Sequence, residues 1–168
     1  FFKGQYGQAN IVSIDVGGDT SDVVIADRGE VQYITSFRFA ANSIFGDAYA
    51  NLGGSVQNGM IRQFIGKIKE SLKQNNMTDL LKFIQTLEER NDSSDLASFF
   101  FSLNKNKKIE EKGFNEDVNF HRLLQLDENQ KIVFLIFYSA LIYHVAKLMK
   151  AKNLAMPRFI TFSGNGSK

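Results

Sequence analysis

A polar, glycine-bearing octapeptide, Asp15-Val16-Gly17-Gly18-Asp19-Thr20-Ser21-Asp22, stands between two short apolar runs, Ile11-Val12-Ser13-Ile14 and Val23-Val24-Ile25-Ala26. Runs of this length, rich in β-branched side chains and bounded by glycine and aspartate, form strands, and the peptide between them must then be a turn. A second turn, Asp27-Arg28-Gly29-Glu30, leads into Val31-Gln32-Tyr33-Ile34. Three consecutive antiparallel strands are therefore expected between Asn10 and Phe39.

After Asn42 the apolar spacing changes from period two to helical. Asp47 to Leu52 can begin a helix that Gly53-Gly54 interrupts. Met60 to Leu72 places Ile61, Phe64, Ile65, Ile68 and Leu72 on one face. Thr78 to Glu89 does the same with Leu80, Leu81, Phe83, Ile84 and Leu87, and Thr78 or Asp79 is the expected N-cap. Leu96 to Leu103 contains Phe99-Phe100-Phe101, three rings that one helix face cannot hold, so part of the run is expected to meet a partner surface. Asn104 to Lys112 reads as a charged, solvated loop; Glu110 and Glu111 interleave with its lysines, which argues against nucleic acid.

Ile132 to Ala146 is a run of 15 residues without a charge. A membrane span needs roughly 20 apolar residues, so a helix buried in a protein core is expected, running from Asp127-Glu128 to Lys150–Asn153. Pro157 ends the pattern before Phe159 to Phe162, read as a short buried strand. The order is thus βββ, helices, one long helix, then β. His144 lies in the apolar run and reads as a core histidine.

The chain has no cysteine, two distant histidines and a net charge of +2. Disulfide scaffolds, thiolate zinc sites and cysteine nucleophiles are excluded, and no long-range pull on nucleic acid is expected. No P-loop occurs, because Gly66-Lys67 is followed by Ile68, and Gly-x-Ser-x-Gly is missing. The N-terminal residues show no signal region, and the sequence stops in a glycine turn, Ser163-Gly164-Asn165-Gly166-Ser167, which normally joins two elements. A cytoplasmic fragment of a larger protein is the expectation.

The two glycine turns carry the chemistry. Glycines at Gly17 and Gly18 allow positive φ and bring backbone N–H groups close to an anion, Thr20 adds a hydroxyl, and Asp15 and Asp22 suit a hydrated magnesium ion. Alone, the octapeptide is equally an ordinary glycine-rich hairpin. The second turn, Gly164 to Ser167, also follows a strand, and ligands of open α/β sheets collect at strand carboxyl ends.

With these residues in view, Asp15 to Val23 resembles the second phosphate motif of the actin, heat-shock chaperone and sugar kinase ATPase superfamily. Ile160 to Ser167 resembles its adenosine motif, and Asn42-Ser43-Ile44-Phe45-Gly46-Asp47 is similar to the segment opening the first helix of the second half. The resemblance implies a ribonuclease H-like mixed sheet, three antiparallel strands then a parallel one, formed by 1–54 and 127–168, with a helical insertion at 55–126. It implies binding of ATP and Mg2+: Asp15 holding magnesium through water, Asp22 as a second acid, Gly17, Gly18, Asp19 and Thr20 at the phosphates, and Gly164, Asn165, Gly166 and Ser167 at the adenosine. Hydrolysis would need the missing first half, and the insertion would serve self-association or a protein partner. Asp19 stands where chaperones carry glycine, adding bulk and charge beside a phosphate. That departure and the insertion motivate a second reading, a non-catalytic association module. A ribonuclease H-like nuclease ranks last, because Phe159 to Phe162 supplies no further carboxylate for two metals.

Overall fold

Three strands, a series of helices and a last strand follow one another along the chain as the apolar spacing requires, and the computed structural model, which describes residues 10–45, 59–90, 93–164 and 166, is α/β. Its four-stranded mixed sheet has the order β3-β2-β1-β4. The chain divides into two compact units, one of Phe1–Ser43 with Ile136–Lys168 and one of Ile44–Leu135.

The first unit contains the sheet. β1 (Ile11–Val16), β2 (Ser21–Asp27) and β3 (Glu30–Phe37) are antiparallel neighbours, and β4 (Phe159–Ser163) joins β1 in parallel. Between β2 and β3, Arg28 (φ 48°) and Gly29 (φ 83°) make the left-handed pair that a tight hairpin favours, since its twist matches that of the strands. On one face Val12, Ile14, Val16, Val23 and Ile25 are buried. The long helix α7 (Glu128–Ala151) covers that face through Phe137 on Phe39, His144 on Phe37 and Tyr138 edge-on to Phe162. Asp127 caps its start by accepting from the Gln130 N–H at 3.1 Å, and Asn153, left-handed at φ 54°, follows its end.

Three expectations about burial do not hold. The 15-residue apolar run is not wholly buried: Phe137, Leu141, Val145 and Met149 form one buried stripe, while Ile132, Leu135, Ile136 and Tyr143 lie open. A helix apolar all round cannot hide every side on a one-sided layer, and nothing among the described residues covers the rest. By length and composition it is also long and apolar enough to cross a membrane. β4 is likewise no buried strand but a sheet edge, with Phe159 44% and Ile160 40% exposed. His144 is not a core residue either; it lies beside the buried stripe, exposed, with its ring 4.4 Å from that of Phe37.

Half-burial of Tyr138 beneath its aromatic neighbours raises its phenol pKa above the ordinary 10.0, because desolvation disfavours the phenolate. The unfolded chain then ionises first as the solution becomes alkaline. Stability present below pH 10 is lost as the pH rises through the folded value. Tyr138→Phe is expected to flatten that alkaline loss, which denaturation midpoints measured against pH for both chains will show.

The second unit is helical. α1 (Asn42–Phe45) leads into it, and α2 (Gly59–Gln74), α3 (Thr78–Glu89), α4 (Ser93–Leu103), α5 (Lys107–Glu111) and α6 (Phe120–Leu126) follow, with a 3-10 turn at Asn115–Val118. α2 buries Ile61, Phe64, Ile68 and Leu72, the stripe its spacing dictates. Lys69 joins α2 to α3 by donating to both carboxylate oxygens of Glu88, at 2.7 and 2.5 Å. The N-cap of α3 is Met77, which offers no side-chain bond; neither Thr78 nor Asp79 caps it, since both lie inside the first turn. Phe83, expected on the buried face of α3, is exposed at its rim, its ring tilted against that of Phe99 with centroids 4.8 Å apart.

The charged stretch 104–112 is not simply a solvated loop. Asn106 accepts from the N–H groups of Lys108 and Ile109, starting α5, and the fully buried Ile109 anchors it. Each ring of the phenylalanine run has an aromatic neighbour within the helical unit, although only Phe100 is fully buried. Phe99 meets Phe83, Phe100 is buried against Phe120, and Phe101 reaches both Phe45 and Phe120. Rings about 100° apart on a helix separate into different layers, and each layer here has an aromatic partner.

Candidate functional site

Strand register puts the acidic residues of the octapeptide side by side. Asp15 pairs with Asp22 across β1 and β2, Asp22 with Ser36 on β3, and Asp15 with Ser163 on β4. Partners directly opposite share a face, so Ser36, Asp22, Asp15 and Ser163 form one exposed row at the carboxyl ends of β1 and β4. Directly opposed side chains sit about 5 Å apart at Cβ, and two carboxylates so placed repel unless a cation lies between them. The hydroxyls at both ends of the row add neutral oxygen donors. Among the described residues no cluster of three or more metal-binding side chains occurs, so the row is not a full protein cage for a metal ion.

The turn beyond this row is held from behind. The Gly17 N–H donates to the Thr20 carbonyl at 2.9 Å, while the carbonyls of Gly17 and Gly18 accept from the N–H groups of Ala41 (3.1 Å) and Asn42 (2.8 Å). Asn42 Nδ2 donates to Asp19 Oδ1 at 2.6 Å, and the buried Ser21 hydroxyl donates to the Phe39 carbonyl at 2.7 Å. With the carbonyls occupied, the N–H groups of Gly18, Asp19 and Thr20, and the Thr20 hydroxyl, have no hydrogen-bond partner among the described residues. Consecutive unpaired N–H groups make an anion-binding concavity.

The second glycine turn lies against the first. A Cβ on Gly164 would stand 2.1 Å from Asp15 Oδ1 and 2.3 Å from the Val16 carbonyl oxygen; one on Gly166 would stand 2.7 Å from the Gly17 carbonyl oxygen. The two turns, distant in sequence, thus meet at the carboxyl ends of neighbouring parallel strands, where open α/β sheets take ligands. A scan of protein-family models gave no match to the chain, and a search of curated proteins gave no significant one. Whatever the site does has to be read from its own geometry.

Of the ten residues read from the sequence as a site, the structure brings Asp15, Gly17, Gly18, Asp19, Thr20, Asp22, Gly164 and Gly166 together. Asn165 and Ser167 fall outside the described residues, as do Gly46, Asp47 and the Gly53-Gly54 break. One physical reason changes. Gly17 and Gly18 do not adopt positive φ; what favours glycine at Gly17 is space, since a Cβ would crowd the Thr20 carbonyl oxygen at 3.0 Å. Positive φ belongs to Gly164, at 91°. Ser36, Ser163 and the supporting role of Asn42 escaped the sequence reading. Ser36 and Ser163 become visible only when strand register is known.

Proposed function

We propose that this chain is the second half of an actin-like or chaperone-like ATPase domain. In this reading the sheet is ribonuclease H-like, 55–126 is its helical insertion, and hydrolysis of ATP in the intact cytoplasmic protein drives conformational change or assembly. The observation that carries it is the close approach of Gly164 and Gly166 to Asp15–Gly17, which makes one site of two glycine turns. The N–H groups of Gly18, Asp19 and Thr20, unpaired among the described residues, and the Thr20 hydroxyl would hold phosphate oxygens, and Gly164 and Gly166 would line the nucleoside side. Asp15 and Asp22 would orient the waters of Mg2+, which neutralises phosphate charge when bound. No base is assigned from these residues; the acid that positions a water would come from the first half.

Isothermal titration with Mg–ATP is the test. The chain alone is expected to bind weakly and hydrolyse nothing, and the chain extended in both directions to bind tightly. Gly17→Val, whose branched Cβ crowds the Thr20 carbonyl, is expected to abolish that binding. Absence of magnesium-dependent binding in the extended protein would sink the proposal. It would leave the non-catalytic association module, which the apolar residues open on β4 and α7 favour.

A further inference from the structure

We propose that Asn42 is a positioning residue for the phosphate turn: by binding the Asp19 carboxylate it keeps that charge off the N–H groups of Gly18, Asp19 and Thr20, and so sets the affinity of the turn for an anion. The inference rests on the phosphate-binding reading above. A short acidic side chain readily folds back on to nearby backbone N–H groups. Placed there, the Asp19 carboxylate would fill the concavity and repel any phosphate approaching it. In the structure it does neither. Asn42 Nδ2 holds Oδ1 at 2.6 Å, and no N–H of the turn donates to the carboxylate among the described residues.

The holder is itself fixed. Asn42 N–H donates to the Gly18 carbonyl at 2.8 Å, and the preceding N–H of Ala41 to the Gly17 carbonyl at 3.1 Å, so two consecutive residues grip the turn by three bonds. An amide suits this position because it donates without adding charge, whereas a carboxylate at position 42 would push Asp19 back towards the turn. Asp19 is then tolerable beside a phosphate only while Asn42 is present. Substituting Asn42 matters through Asp19 and not otherwise.

That dependence is measurable as a double-mutant cycle on Mg–ATP affinity in the intact protein, by isothermal titration. Asn42→Ala is expected to weaken binding about five-fold, the size of one exposed charge interaction, and the loss to shrink as salt is raised. Asp19→Asn, which keeps the shape and removes the charge, is expected to tighten binding; on that background Asn42→Ala is expected to change affinity by no more than about two-fold. An equal loss in both backgrounds would make Asn42 merely structural and overturn the inference, as would no loss in either. If neither the wild type nor Asp19→Asn binds Mg–ATP, the phosphate reading itself fails and this one with it. Binding with a flat cycle rejects this inference alone.

Discussion

Gly164→Ala is expected to destabilise the protein by about 3 kcal/mol or more and to remove the Mg–ATP binding proposed above, because one methyl group meets two independent obstacles. The first is conformational. Gly164 has φ of 91°, a region that L side chains avoid at roughly 1–2 kcal/mol. The second is steric. The new Cβ would lie 2.3 Å from the Val16 carbonyl oxygen and 2.8 Å from its carbon, and these are backbone atoms of a central strand that cannot rotate aside. Overpacking of this kind typically adds about 1–3 kcal/mol. For a chain this long each kcal/mol lowers Tm by about 3 °C, so the melting temperature should fall by about 10 °C.

Gly113→Ala separates the two effects. Gly113 also has positive φ, 74°, but a Cβ there meets nothing within 4 Å. Its substitution should cost only the conformational part, about 1–2 kcal/mol, and leave the proposed Mg–ATP binding unchanged. Thermal melts followed by circular dichroism compare the two variants. Equal shifts would show that the second glycine turn does not press on the end of β1, and the convergence on which the proposed site depends would be lost.

The contrast between these glycines also shows what the sequence could and could not reveal. β1, β2 and β3 were legible because β-branched runs alternate with turn residues, and α2 because Ile61, Phe64, Ile68 and Leu72 repeat at helical spacing. The parallel place of β4 was implied by the family resemblance and not by local spacing, and its exposure by neither. A run such as Phe159–Phe162 looks the same at a sheet edge as in a sheet centre, since composition reports what a side chain prefers and not which neighbours it finds. α5 was hidden by its lysines and glutamates; only Ile109 and the Asn106 cap distinguish it from a charged loop. Within the site, the glycines and aspartates announced themselves by type. The row Ser36, Asp22, Asp15, Ser163 is a product of register, and the Asn42–Asp19 bond joins residues 23 positions apart, so neither is written in local spacing.

Phe120→Ala is expected to produce the largest loss of stability in the helical unit. The Phe120 ring is fully buried, with Phe101 at 4.9 Å, Phe100 at 5.4 Å, Phe64 at 5.9 Å and Phe45 at 6.3 Å between centroids. These partners come from α1, α2 and α4, so α6 inserts one ring where three other helices meet. Truncation removes the buried apolar surface and leaves a cavity whose walls, themselves aromatic and mutually packed, cannot collapse inward. Such changes cost about 3–5 kcal/mol, with the larger values where relaxation is blocked. The edge-to-face attraction between Phe120 and its neighbouring rings adds about 1 kcal/mol to a simple area estimate. Phe83→Ala provides the comparison: that ring is 48% exposed and has Phe99 as its aromatic neighbour, so its removal should cost about 1 kcal/mol. Urea denaturation of both variants gives the two free energies directly. Similar values for Phe120 and Phe83 would mean that the phenylalanines act as interchangeable apolar filler. A difference of about 2 kcal/mol or more would mean that Phe120 organises the cluster, with Phe100 and Phe101 both packed on its ring and Phe99 turned to Phe83.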